Sequence, residues 1–170
     1  MLTNLVHKTN VVVNGLGQAQ LTDYGFAIIN SGIRFIPNES TAGNVRWLAP
    51  EIIRASSGLS VESKPADIFA FAMLAIETFT EKKPFDGESD PRVVGRIFQG
   101  DRPRFPQNAI DVGFTTQMYR FLQKCWDSDP EKRPAIAEVE TTWEGLVEND
   151  ECVSRTANRN RSFLYAYHSF

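Results

Sequence analysis

SKPADIFAFAMLAIETFTEKKP, residues 63–84, is the stretch on which the fold turns. Ser63 is a hydroxyl residue where a helix can be capped, and Pro65 falls in the first turn, where its missing N–H costs nothing. Ile68 to Ile76 is then an unbroken run of nine apolar residues. A helix that is apolar on every side has to be surrounded by protein. Nine residues also fall far short of the roughly 20 needed to cross a bilayer. Residues 63–84 therefore predict a buried central helix that runs to about Thr80 and is ended by Glu81, Lys82, Lys83 and Pro84.

On the C-terminal side a shorter helix is expected from about Asp90 to Gln99, closed by Gly100. Met118, Phe121, Leu122 and Cys125 recur at i, i+3, i+4 and i+7, one face of another helix. Pro134 opens the last clear helix, with Ile136, Val139, Trp143 and Leu146 as its apolar stripe. On the N-terminal side, Val11 to Val13 and Gln18 to Thr22 read as two short strands joined by the Asn14-to-Gly17 turn, a β-hairpin. From Asp23 to about Arg46 no period is sustained, and a long loop is expected there.

The chain has 170 residues, 42% of them hydrophobic, enough for one domain with a substantial core. A net charge of −3 gives no general reason to expect nucleic-acid binding. Residues 151–170 hold three arginines and one acid, so this tail is basic and is expected to be poorly ordered. Arg155, Arg159 and Arg161 would suit an anionic partner, although a solvated tail is the simpler reading. Cys125 and Cys152 are too few for a disulfide framework and lack metal-ligand spacing, and Cys125 reads as a buried free thiol. The first ten residues do not form a secretory signal. A cytoplasmic, soluble protein with no membrane span is the expectation.

Several short motifs follow one another at telling distances. Asn10 lies 13 residues before Asp23-Tyr24-Gly25, and Ala49-Pro50-Glu51 ends 28 residues after Asp23. Asp67 then heads the apolar helix, and Cys125-Trp126 with Arg133-Pro134 closes the series. This order resembles the eukaryotic-type protein kinase family, with its Asp-Phe-Gly, its Ala-Pro-Glu and its late arginine. The strings VRWLAPE and CWDSDPEKRP look most like the tyrosine-kinase-like branch of Ser/Thr kinases. The resemblance implies a family that is α+β, seen here as its mainly α large (C-terminal) lobe with a small hairpin at the cleft and no N-terminal lobe. It also implies two parts, a partial kinase domain over 1–150 and the tail over 151–170.

The resemblance carries roles with it. It implies ATP and Mg²⁺ as cofactors, with Asn10 and Asp23 as metal ligands, since Mg²⁺ takes hard oxygen donors shared with phosphate. Val12 and Thr22 match positions beside the nucleotide, and as strand residues they are expected to be half-buried in any case. Tyr24 replaces the usual Phe, and Gly25 completes the triplet. Glu51 and Arg133 match a buried ion pair that ties the activation segment to the helical body. Asp67 matches a residue that braces the catalytic loop, and Ala72 stands where the family has glycine. Read without the family, Asn10 caps a strand and Asp23 turns the chain.

One departure stands out. The family's transfer chemistry needs an aspartate five residues before that asparagine, and Leu5 stands there. Asp23 is the first carboxylate in the sequence. No Gly-rich phosphate loop and no strand lysine occur in the 170 residues, and Asn44 replaces a common threonine seven residues before Glu51. His7 matches the loop histidine only if a gap is allowed, and Ser31, Ser40 and Thr41 are solvated or phosphorylated loop residues. The expectation is a fragment of a protein kinase domain, inactive by itself, whose family phosphorylates protein Ser/Thr. The alternative is a non-catalytic, pseudokinase-like module that binds a protein partner. Neither reading involves nucleic acid.

Overall fold

A computed structural model of the chain describes residues 10–15, 19–22, 44–54 and 63–148. Within these, two short strands precede five helices: β1 Val11–Val13, β2 Ala19–Leu21, α1 Pro50–Arg54, α2 Lys64–Thr80, α3 Asp90–Phe98, α4 Thr116–Cys125 and α5 Ile136–Glu148. Single 3-10 turns occupy Gln107–Val112 and Pro130–Lys132. The strands pair antiparallel, with Val11 opposite Leu21 and Val13 opposite Ala19.

Helix α2 forms where the apolar run puts it. Ser63 is extended, and its Oγ accepts the N–H of Ala66 at 3.3 Å, satisfying one of the donors that a helix start leaves open. Every residue from Ile68 to Ile76 is buried, and Phe69, Ala72, Met73 and Ala75 are completely so. No single stripe faces the core because α4, α5 and both 3-10 turns pack around the helix. Ala72 in particular has no exposed surface, so a small side chain fits the position. The helix stops at Glu81, which adopts the left-handed conformation at φ 56°.

The other helices present one face each. On α4, Met118, Phe121, Leu122 and Cys125 are buried, and the Thr115 hydroxyl caps the start by accepting from the Met118 N–H at 3.1 Å. Burial pushes the Cys125 thiol up to about 12, so it stays a protonated, unreactive core group. The chain leaves α3 after Phe98 and turns at Gly100, whose φ of 87° suits a residue without a Cβ.

Helix α5 differs from expectation at both start and stripe. It begins at Ile136, two residues after Pro134, because Arg133 stays extended at φ −71° and ψ 144°. That is the conformation a residue before proline favours. Its buried face is Val139, Trp143 and Val147, while Ile136 is 38% exposed and Leu146 only half-buried. Trp143 sets the face, meeting Phe71 of α2 edge-on with ring centroids 5.3 Å apart. Among the described residues no helix is long and apolar enough to cross a membrane.

Candidate functional site

Three clusters join residues far apart in sequence. The first is centred on Arg133, whose side chain has no exposed surface. Its Nη1 donates to Glu51 Oε1 at 2.6 Å and its Nη2 to Oε2 at 2.9 Å, a two-pronged pairing that fixes orientation as well as charge. Two of the remaining donors are used on carbonyls, Nη1 on Pro65 at 2.8 Å and Nε on Asp127 at 2.9 Å. One guanidinium thereby fastens α1, the first turn of α2 and the loop after α4 to one another.

The Phe69 ring is part of this hub. Arg133 and Arg102 place their guanidinium carbons 5.2 Å and 5.1 Å from its centroid, within cation–π range. Burial, and secondarily the Arg133 charge, lower the Arg102 pKa from its ordinary value. Arg102 answers with hydrogen bonds to the Trp126 carbonyl at 2.8 Å and the Ser128 hydroxyl at 2.9 Å.

The second cluster is one that the sequence reading misses, since Arg46 marks there only the end of a loop. Its side chain is 2% exposed. Nη1 donates to the carbonyls of Pro84 at 2.7 Å and Phe85 at 2.9 Å, and Nη2 donates to that of Glu88. Nε reaches Asp90 Oδ1 at 3.0 Å. The segment before α1 is thus nailed to the loop between α2 and α3. A signal is present, since Arg46 is the one charge in the otherwise apolar stretch from Val45 to Pro50. A cation in such a run has to find acceptors inside.

The third cluster is the open end of the strand pair. The Thr22 N–H donates to the Asn10 carbonyl at 2.8 Å, and the Thr22 hydroxyl donates to the same oxygen at 3.3 Å. Asn10 is buried and Thr22 half-buried, but Val12 is 44% exposed rather than half-buried. Side chains on a two-stranded ribbon point alternately to opposite faces, and nothing among the described residues covers this one. Asp23, Tyr24 and Gly25 lie outside the described residues, as do His7, the expected loop up to residue 43, Cys152 and the tail. The amide oxygen of Asn10 and the carboxylate of Asp23 are donors of the kind Mg²⁺ prefers. The strand pairing sets residue 10 beside residue 22, one position before Asp23. Asp67 sits half-buried in the first turn of α2, 16 positions beyond Glu51.

Comparison with known proteins identifies the family. The family described as protein tyrosine and serine/threonine kinase matches residues 3–142. The chain belongs to the protein kinase family. The matched kinase segment takes in both strands, α1 to α4 and both buried arginines. The chain is 30% identical over 137 residues to the tyrosine-protein kinase Src64B of Drosophila melanogaster, covering 78% of this chain and 24% of that protein. It is 25% identical over 142 residues to the dual specificity protein kinase shkD of Dictyostelium discoideum, covering 81% of this chain and 18% of that protein. The cytoplasmic tyrosine-protein kinase BMX of Mus musculus is 29% identical over 143 residues, covering 84% of this chain and 21% of BMX. The chain therefore spans about a quarter or less of the length of these kinases.

Proposed function

We propose that residues 1–150 are the helical large lobe of a protein kinase domain, that 151–170 are a basic tail, and that a polypeptide of these 170 residues transfers no phosphate by itself. The observation that carries the reading is the bidentate Arg133–Glu51 bond in a chain whose first carboxylate is Asp23. That bond supports the scaffold role the family gives these two positions, while the position five residues before Asn10 holds Leu5, which can accept no proton.

In this reading Asn10 and Asp23 would hold Mg²⁺ and Val12 and Thr22 would flank the nucleotide of ATP, with weak or no binding expected of this chain by itself. When bound, Mg²⁺–ATP would supply the γ-phosphoryl group that the family passes to a protein hydroxyl, with Ser/Thr favoured by the likeness of VRWLAPE to the tyrosine-kinase-like branch. Asp67 serves as a brace for the loop before Asn10. Glu51 and Arg133 keep the segment after the activation loop fixed against the helices. A soluble, cytoplasmic location fits such a domain.

The test is incubation of the purified chain with Mg²⁺, radiolabelled ATP and a general protein acceptor such as casein, beside Asp23→Asn. The expected result is no incorporation above the variant. Transfer that needs Mg²⁺ and Asp23 would sink the proposal.

A second reading is a pseudokinase-like interaction module. Two buried arginines, each bonded through all three of its nitrogens, favour an intact helical body, although Leu5 stands where the family has its catalytic aspartate. Mapping the 5′ end of the transcript separates the two. An upstream frame encoding a small lobe and an intact catalytic loop favours the kinase, and a message starting at Met1 favours the module.

A further inference from the structure

A cleft of about 240 Å³ opens between the loop after α2 and the segment that follows α3. Cavities that take cofactors or drug-sized ligands usually measure roughly 300–1,000 Å³, so this one has room for one or two side chains. Its floor is apolar: Ile76, Pro84 and Pro103 are buried and Phe85 half-buried. Its rim is cationic, formed by Lys82, Lys83 and Arg104, all exposed. Glu88 is the one carboxylate in the lining, and it is already bonded to Arg92 and Arg96. Among the described residues no carboxylate lies within ion-pair distance of Lys82, Lys83 or Arg104.

The walls are fixed before any ligand arrives. Arg46 holds the carbonyls of Pro84 and Phe85 on one side. On the other, the Tyr119 hydroxyl donates to the Pro103 carbonyl at 2.9 Å, and Arg102 is bonded to Ile97, Asp101, Trp126 and Ser128. A preformed cleft spares a partner the cost of ordering it.

We propose that this cleft docks an acidic segment of a protein partner, one apolar side chain resting on Pro84, Phe85 and Pro103 and its flanking carboxylates meeting Lys82, Lys83 and Arg104. Charge selects the occupant. The chain's own tail carries three arginines against one acid over residues 151–170 and has the wrong sign. The docking site is separate from the strand-pair end that bears Asn10, so it holds whether or not the domain transfers phosphate.

The probe is a fluorescein-labelled peptide, Glu-Glu-Leu-Phe-Glu-Glu, titrated with the whole chain and followed by anisotropy. Saturable binding that weakens as salt rises is expected, and Lys83→Glu with Arg104→Glu should weaken it at least about tenfold. Arg120→Glu, an exposed charge on α4 outside the cleft lining, should change affinity less than about twofold. All three positions are exposed, so thermal unfolding followed by circular dichroism should match the parent and exclude misfolding as the cause. Equal affinity for the double variant, equal binding of a Lys-Lys-Leu-Phe-Lys-Lys peptide, or no saturable binding would each overturn the proposal. So would vesicles of phosphatidylcholine and phosphatidylserine that bind through Lys83 and Arg104 while the peptide does not.

Discussion

Arg133 and Arg46 solve one problem in two ways. Each is a buried guanidinium that fastens a distant segment to the helical body, and each uses its donors inside the protein. Arg133 is neutralised by a carboxylate held in two-pronged contact, with Glu51 only 20% exposed. Arg46 relies on three main-chain carbonyls, and its carboxylate partner Asp90 is 37% exposed. The contrast separates a charge–charge anchor, which depends on one particular side chain, from a charge–dipole anchor, which depends on the path of a loop.

The largest effect is expected where the comparison is sharpest. Glu51→Ala leaves the wholly buried Arg133 cation without its counter-charge and should destabilise the chain by about 3–5 kcal/mol. Urea unfolding measures it. Arg133→Met in the same background should then cost little more, because the penalty belongs mostly to the stranded charge. If the two losses simply added, Arg133 would be held by its bonds to the Pro65 and Asp127 carbonyls, and the two arginines would be anchors of the same kind.

Arg46→Met tests the other side. It strands no charge on the protein, but it removes the donors of the Pro84, Phe85 and Glu88 carbonyls, of which only Pro84 is buried. Water can reach the other two, so about 2–3 kcal/mol is expected. A loss equal to that of Glu51→Ala would break the distinction. The same variant frees one wall of the basic cleft, so the acidic peptide should bind it more weakly than it binds the parent.

How much of the molecule is legible in the sequence follows from the same difference. Glu51 and Arg133 can be paired through the family resemblance, because both halves of a charge–charge anchor are side chains that match positions in its motifs. Half of the Arg46 anchor is backbone, and carbonyls have no letter. Helix α2 is legible because nine apolar residues in a row admit no exposed face, and α4 because its period is clean. The sequence pattern starts α5 two residues early because Pro134 suits a first turn, yet Arg133 is extended, as a residue before proline favours, and the helix begins only at Ile136. Helix α1 and the Gln107–Val112 turn are too short to show a period at all. The Asn10 end of the candidate site is legible only through family spacing, and its pairing with Thr22 is the part that is described.

A smaller effect is expected from loosening the frame that presents one of the Arg133 acceptors. The Ser63 hydroxyl caps α2, and the Pro65 carbonyl that takes the Arg133 Nη1 bond lies two residues on. Ser63→Ala should cost about 1 kcal/mol, while Ser63→Asp should restore most of it. Coupling to Arg133 is the informative quantity. If Ser63→Ala and Arg133→Met are additive in a double-mutant cycle, the cap serves the helix alone. If they are not, the cap is part of the anchor.

The smallest effect concerns the one carboxylate that Arg46 does have. Asp90→Asn keeps an acceptor for the Arg46 Nε bond and removes only a charge that is more than a third exposed. Solvent screens such a pair, so the loss should stay below about 1 kcal/mol and shrink further as salt is raised. Glu51→Gln is its counterpart at the other anchor, where the pair is shielded and the loss should be larger and nearly independent of salt. Unfolding free energies of both variants at low and high salt therefore put the two anchors on one scale. A salt-insensitive loss of several kcal/mol for Asp90→Asn would mean that Arg46 is a charge–charge anchor after all, with its three carbonyls as bystanders.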